Sequence, residues 1–157
     1  VTAAALRPFR VPAPAREVPV LPYLEEPFPT GLAVALEAAL APAGAGETVV
    51  TRTDARALYW TAPQQLVQAA SAGGPVETGD LLGSGTISGP GPGSRGCLLE
   101  LTWGGREPVA VEGGTRRFLE DGDRVTLRGA ARGPGVTIGF GDCEGTVLPA
   151  LPDPWAR

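Results

Sequence analysis

The sequence predicts a mainly β chain with one short helix. Three observations carry that reading. From residue 80 onward, short runs alternate or carry β-branched residues, and Gly, Pro and Asp punctuate them. One stretch, Thr61-Ala62-Pro63-Gln64, has the spacing of a helix capping box. Hydrophobic residues make up 43% of the 157, enough for a core.

In chain order, residues 1–30 read as an extended, Pro-punctuated lead-in that packs on something else rather than folding alone. GLAVALEAAL (31–40) fits a strand by alternation or a short helix by its Ala content. The bracketing Gly, Ala and Pro favour a strand. ETVVTRT (47–53) reads as a strand. After the capping box, with Pro63 in the first turn where its missing N–H costs little, QQLVQAASA continues as a helix ending near Gly73-Gly74. DLLGSGTIS, CLLELTW, EPVAVE, RRFLE, DRVTLRGAA and VTIGFG then read as successive strands. Glu120-Asp121-Gly122-Asp123 reads as a solvated hairpin turn between two of them, and Asp142-Cys143-Glu144-Gly145 as another. Neither has the ligand spacing of a calcium loop. Residues 31–157 thus form a β-rich body.

Composition excludes several classes. The net charge is −4, and all 13 basic residues are Arg, scattered singly apart from Arg116-Arg117, so no nucleic-acid surface is expected. No apolar run approaches the ~20 residues that span a bilayer. Pro and Arg interrupt the N-terminal stretch, which lacks the apolar centre of a secretory signal, so a soluble protein with no membrane partner is expected. Cys97 and Cys143 read as two reduced thiols. Gly (23) and Pro (17) together make up 40 residues, and their abundance, like that of Ala and Arg, reads as coding bias. The chain has no His, which removes the commonest general base near neutral pH, and no Met. Both absences fit a piece of a larger protein.

Two features carry candidate chemistry. Gly83, Gly85 and Gly89 around Ser84 and Thr86 would let backbone approach a ligand, with Thr86 offering a hydroxyl. Without a following Lys-Ser/Thr this is no nucleotide P-loop, and a Gly-Pro-Gly-Pro-Gly run also serves as a plain connection. Glu100 interrupts the apolar CLLELTW. As a strand, this run places Leu98, Glu100 and Thr102 on one face and Leu99, Leu101 and Trp103 on the other. Glu100 then either sits in water above a core of Leu99, Leu101 and Trp103, or lines a polar cavity where it orients a base or a water.

These residues also resemble a known family. Tyr59-Trp60-Thr61 with Gln64-Gln65-Leu66, Gly79-Asp80-Leu81-Leu82, Ser84-Gly85-Thr86-Ile87-Ser88-Gly89-Pro90, Leu99-Glu100-Leu101 with Trp103, Asp121-Gly122-Asp123, and Ile138-Gly139-Phe140-Gly141 resemble the fumarylacetoacetase (fumarylacetoacetate hydrolase) family. So do Thr115-Arg116 with Phe118-Leu119, Leu21-Pro22-Tyr23-Leu24 near the start, and the tail Val147–Leu151. Smaller relatives, the acylpyruvate hydrolases among them, usually carry Gly-Thr-Pro where this chain has Gly85-Thr86-Ile87.

The resemblance implies the C-terminal part of a β-roll catalytic domain, with the N-terminal domain and metal-binding region lying elsewhere. It implies hydrolysis of the carbon–carbon bond of 4-fumarylacetoacetate to fumarate and acetoacetate, the last step of tyrosine (and phenylalanine) catabolism. In the family a Glu–His pair activates water, and a divalent cation, Ca2+ or Mg2+, binds the diketone oxygens. Glu100 matches the catalytic Glu and Thr86 a substrate-binding Thr. No position here matches the His, and no metal ligand is carried over. A cytoplasmic homodimer acting on a small diketo acid is implied, with this chain inactive alone. Alternatives are a non-catalytic truncated module for dimerisation or binding, and a related β-diketone or acylpyruvate hydrolase.

Overall fold

A computed structural model describes residues 1–152. Its strands and helices are β1 (Arg10–Pro12), β2 (Thr30–Leu32), β3 (Val34–Ala41), β4 (Thr48–Asp54), α1 (Ala62–Ser71), α2 (Leu98–Leu101), β5 (Val109–Val111), β6 (Gly114–Arg116), β7 (Arg124–Gly133) and β8 (Val136–Thr146). A four-stranded antiparallel sheet in the order β4-β3-β7-β8 forms the centre, flanked by two small ribbons, β1-β2 and β5-β6. The Pro134-Gly135 turn joins β7 to β8, and Glu112-Gly113 joins β5 to β6. Mainly β with one full helix is therefore the architecture, and the strands read at 31–40, 47–53, 123–131 and 136–141 are all present. Among the described residues no helix is long and apolar enough to cross a membrane.

The lead-in is extended and packs on this chain's own body. β1 pairs with β2 in the register Arg10↔Leu32. Phe9, 2% exposed, closes a core with Val34 and Ala131, against which Leu6, Leu32, Leu36, Ala55 and Ile138 pack. A second tie forms at the start of α1. Thr61 Oγ1 accepts from Gln64 N–H at 3.3 Å, and Thr61 N–H donates back to Gln64 Oε1 at 3.1 Å, completing the capping box. The same side chains hold the lead-in: Thr61 Oγ1 donates to Glu26, Gln64 Nε2 donates to Leu24 O, and Arg16 donates to Gln64 Oε1 while stacking over Tyr59 and Trp60.

Four local expectations are corrected. DLLGSGTIS forms no strand: residues 80–89 have no regular structure, Leu81 is almost fully exposed, and Gly85 takes a φ of +75° that breaks an extended run. RRFLE is not a strand either. β6 ends at Arg116, and the chain bends there so that Arg117 reaches the carbonyls of Gly105 and Arg106. Glu120–Asp123 is a turn, but it joins no hairpin and is not wholly solvated. Asp123 is fully buried, its two oxygens each accepting from Arg116 at 2.9 Å. Asp142–Gly145 lies within β8 rather than in a turn. There Asp142 ends a row of alternating charge across all four strands, Arg52–Glu37–Arg128–Asp142, in direct register. Glu47 also pairs with Arg128, and these carboxylates hold the Arg128 guanidinium well above its ordinary pKa.

Candidate active site

The segment Gly83–Trp103 divides into three parts with different mechanical roles. Residues 83–88 form an arm, exposed through Thr86 and half-buried at Ile87 and Ser88. Residues 89–94 close on themselves: Gly89 N–H donates to Ser94 O at 2.8 Å, Ser94 N–H donates to Gly91 O at 3.1 Å, and Thr51 of β4 donates to Gly93 O at 3.2 Å. The Gly-Pro-Gly-Pro-Gly run is therefore an ordered turn stapled to the sheet. The third part, CLLELTW, is a single helical turn rather than a strand, which is the main correction at the site.

The cause is local. Leu and Glu are good helix formers and none of the four residues Leu98–Leu101 is β-branched. The turn is locked at its end by Thr102, fully buried, whose hydroxyl donates to Leu98 O at 2.7 Å and accepts from Gly105 N–H at 2.9 Å. Trp103, Gly104 and Gly105 follow with φ of +49°, +68° and +83°, reversing the chain. The helical turn rearranges the faces expected of a strand. Leu98 and Leu101 line an apolar cleft of about 450 Å³ with Leu40, Val125, Leu127 and Phe118. Leu99 and Trp103 are exposed instead of forming a core, and Glu100 lies on the exposed side of α2 rather than inside a cavity.

Glu100 is nevertheless held. Ser88 Oγ donates a short hydrogen bond to Glu100 Oε2, and Gly96 N–H donates to Ser88 Oγ at 2.9 Å. Among the described residues, Glu100 Oε1 has no hydrogen-bond partner. Thr86 is exposed, and its methyl lies against Gly96, the residue that donates to Ser88. A Cβ placed on Gly96 would fall 2.6 Å from the Thr86 methyl and 2.5 Å from Ile87 O, so the arm lies directly against a residue with no side chain. Thr86, Ser88, Gly96 and Glu100 therefore form one contiguous group. Ser88 and Gly96 carry no role in the sequence reading, because nothing local links either of them to Glu100. The signal that could have found α2 is the Gly104-Gly105 pair directly after an apolar run free of β-branching, which marks a helix end.

Two contacts brace the group from behind. The Phe118 ring edge occupies the place a Cβ on Gly105 would take, pinning the loop after α2. Arg116 and the buried Asp123 fix the segment that carries Phe118. The Arg116 hydrogen bonds, opposed by burial, hold the Asp123 carboxyl below the usual carboxylate range. Cys97, half-buried beside the cleft, and Cys143, exposed on β8, are both free thiols. Among the described residues no three His, Cys, Asp or Glu side chains converge to hold a metal ion, so this group does not fit the divalent cation the resemblance implies. Chemically, the arrangement offers one oriented carboxylate with an open oxygen, a nearby hydroxyl, and a loop backbone held close to both.

Comparison with known proteins matches residues 6–148 to the family model described as fumarylacetoacetate (FAA) hydrolase C-terminal. The chain is 47% identical over 153 residues to a fumarylacetoacetase of Arabidopsis thaliana, covering 97% of this chain and 36% of that protein. It is 45% identical over 152 residues to a fumarylacetoacetase of Caenorhabditis elegans, covering 96% and 36%. To a fumarylacetoacetase of Homo sapiens it is 43% identical over 149 residues, covering 94% and 36%. The chain thus spans little more than a third of the length of these relatives.

Proposed function

The chain belongs to the fumarylacetoacetate hydrolase family, and from that premise we propose that it supplies the acidic half of a water-activating pair in the hydrolysis of 4-fumarylacetoacetate. The observation that carries this is the Glu100 carboxylate, anchored through Oε2 by Ser88 with Oε1 open. The other half is a His from sequence outside this chain, since the chain has none. Glu100 Oε1 accepts a hydrogen bond from that imidazole, fixes its tautomer and stabilises the cation formed when it takes a proton from water. The water oxygen bonds to the carbonyl carbon of the fumaroyl group. The carbon–carbon bond then breaks, its electron pair leaves on the methylene carbon as the enolate of acetoacetate, and the imidazolium returns the proton to that methylene carbon, which becomes the methyl group of acetoacetate. Thr86, at the exposed arm, hydrogen-bonds the substrate through its hydroxyl.

Ca2+ or Mg2+, where the intact enzyme binds one, would be held by residues outside this chain and would supply charge stabilisation to the diketone. The intact protein is read as a cytoplasmic homodimer acting in tyrosine catabolism, and the isolated chain as inactive.

The test is a chimera in which this chain replaces the matched segment of the Arabidopsis thaliana relative. The chimera is expected to hydrolyse fumarylacetoacetate, followed by loss of the diketone absorbance. Glu100→Gln should lower kcat at least about 100-fold, the lower range for removing a group that acts in proton transfer. Wild-type kcat in E100Q would sink the assignment. Hydrolysis by the 157-residue chain alone would refute the division of labour.

A further inference from the structure

We propose that Ser88 is a positioning residue, holding the Glu100 carboxylate in the single orientation that presents Oε1 outward. Three observations converge on it. Its hydroxyl donates to Glu100 Oε2 across twelve residues of sequence. The same oxygen accepts the Gly96 N–H at 2.9 Å, which directs its proton toward Glu100 and away from competing acceptors. Gly96 in turn has no room for a side chain against Thr86 and Ile87, so the donor amide cannot drift from Ser88 without moving the whole arm.

A glutamate on an exposed one-turn helix otherwise samples several rotamers, and freezing them is the entropic cost of ordering an acid beside its base. The relay from Gly96 through Ser88 removes that freedom before a substrate arrives, as preorganisation of a reacting group requires. It also explains why the arm 83–88 lies as it does without forming a strand. Its last residue is anchored to α2, while Gly83–Gly85 stay free to approach a ligand. The role rests on the reading of Glu100 above as the acidic partner of a base.

The test separates the two claims. In the isotope-labelled 157-residue chain, side-chain scalar couplings of Glu100 are expected to report one rotamer in the wild type, averaged rotamers in Ser88→Ala, and one rotamer again in Ser88→Thr. A fixed Glu100 rotamer in S88A overturns the proposal. In the chimera, S88A should lower kcat about tenfold with KM within twofold, and S88T should recover most of the loss. An S88A variant with wild-type kcat, or one altered in KM alone, overturns the catalytic role.

Adding S88A to E100Q should change nothing further, because Ser88 acts through Glu100. An additive loss in the double variant refutes that. Should E100Q keep wild-type kcat while the couplings still respond to S88A, the reading of Glu100 falls and the contact stands. If S88A fails to fold, Ser88→Cys, a near-isostere and weak donor, carries the same measurements with the same criteria.

Discussion

Adding one methyl group to Gly96 tests the contact on which the candidate site is built. In Gly96→Ala the new Cβ would meet Ile87 O at 2.5 Å, the Thr86 methyl at 2.6 Å and the Ile87 carbonyl carbon at 2.9 Å. Two of these atoms are backbone, so no rotamer change relieves the clash, and the arm carrying Thr86 and Ser88 must lift away. Overpacking of this kind costs about 1–3 kcal/mol. Separating Gly96 from Ser88 loses a further hydrogen bond, about 1 kcal/mol. The total is about 2–4 kcal/mol, and at about 2–4 °C per kcal/mol for a chain of this size Tm should fall by roughly 5–15 °C. Thermal unfolding followed by circular dichroism measures it, and exchange of the residue-96 amide should quicken in parallel. A Tm within about 1 °C of wild type would show that the arm is loosely placed, and the proximity argument for Thr86 and Ser88 would fail with it.

Two further outcomes concern the braces. Arg116→Ala leaves the buried Asp123 carboxylate with the Glu120 N–H but without its bidentate cation, and should cost about 3 kcal/mol, read as a lower urea midpoint; an unchanged midpoint would refute the pairing. Because Asp123 binds its proton less tightly folded than unfolded, its contribution is full above the ordinary carboxylate value of about 4 and drains as pH falls through the lower native value. The acid limb of the stability curve should therefore flatten in Asp123→Asn. At α1, Thr61→Ala removes both the N-cap and the bond to Glu26 and should cost about 1–2 kcal/mol by thermal melt, with Thr61→Ser recovering most of it; a neutral T61A would mean that the capping box does not tie down the lead-in.

Local chemistry determined what was legible in the sequence. The capping box at Thr61 and Gln64 needs residues three apart, and the structure forms it as read. β4, β7 and the first half of β8 carry enough alternation or β-branching to be recognised without their partners, while β3 also needs the Gly, Ala and Pro that bracket it. The motifs around Thr86 and Glu100 also point to the family that the comparisons bear out. CLLELTW is ambiguous by pattern because four residues such as Leu98–Leu101 fit one helical turn as well as a short strand, and Thr102 with Gly105 decides between them. Only the tertiary structure could place Ser88 against Glu100, bury Asp123 against Arg116, and line up Arg52, Glu37, Arg128 and Asp142 across four strands. Those contacts join residues from 7 to 91 positions apart. They exist because the sheet and the closed 89–94 turn bring separate segments to one place, and no periodicity within a single segment records such a meeting.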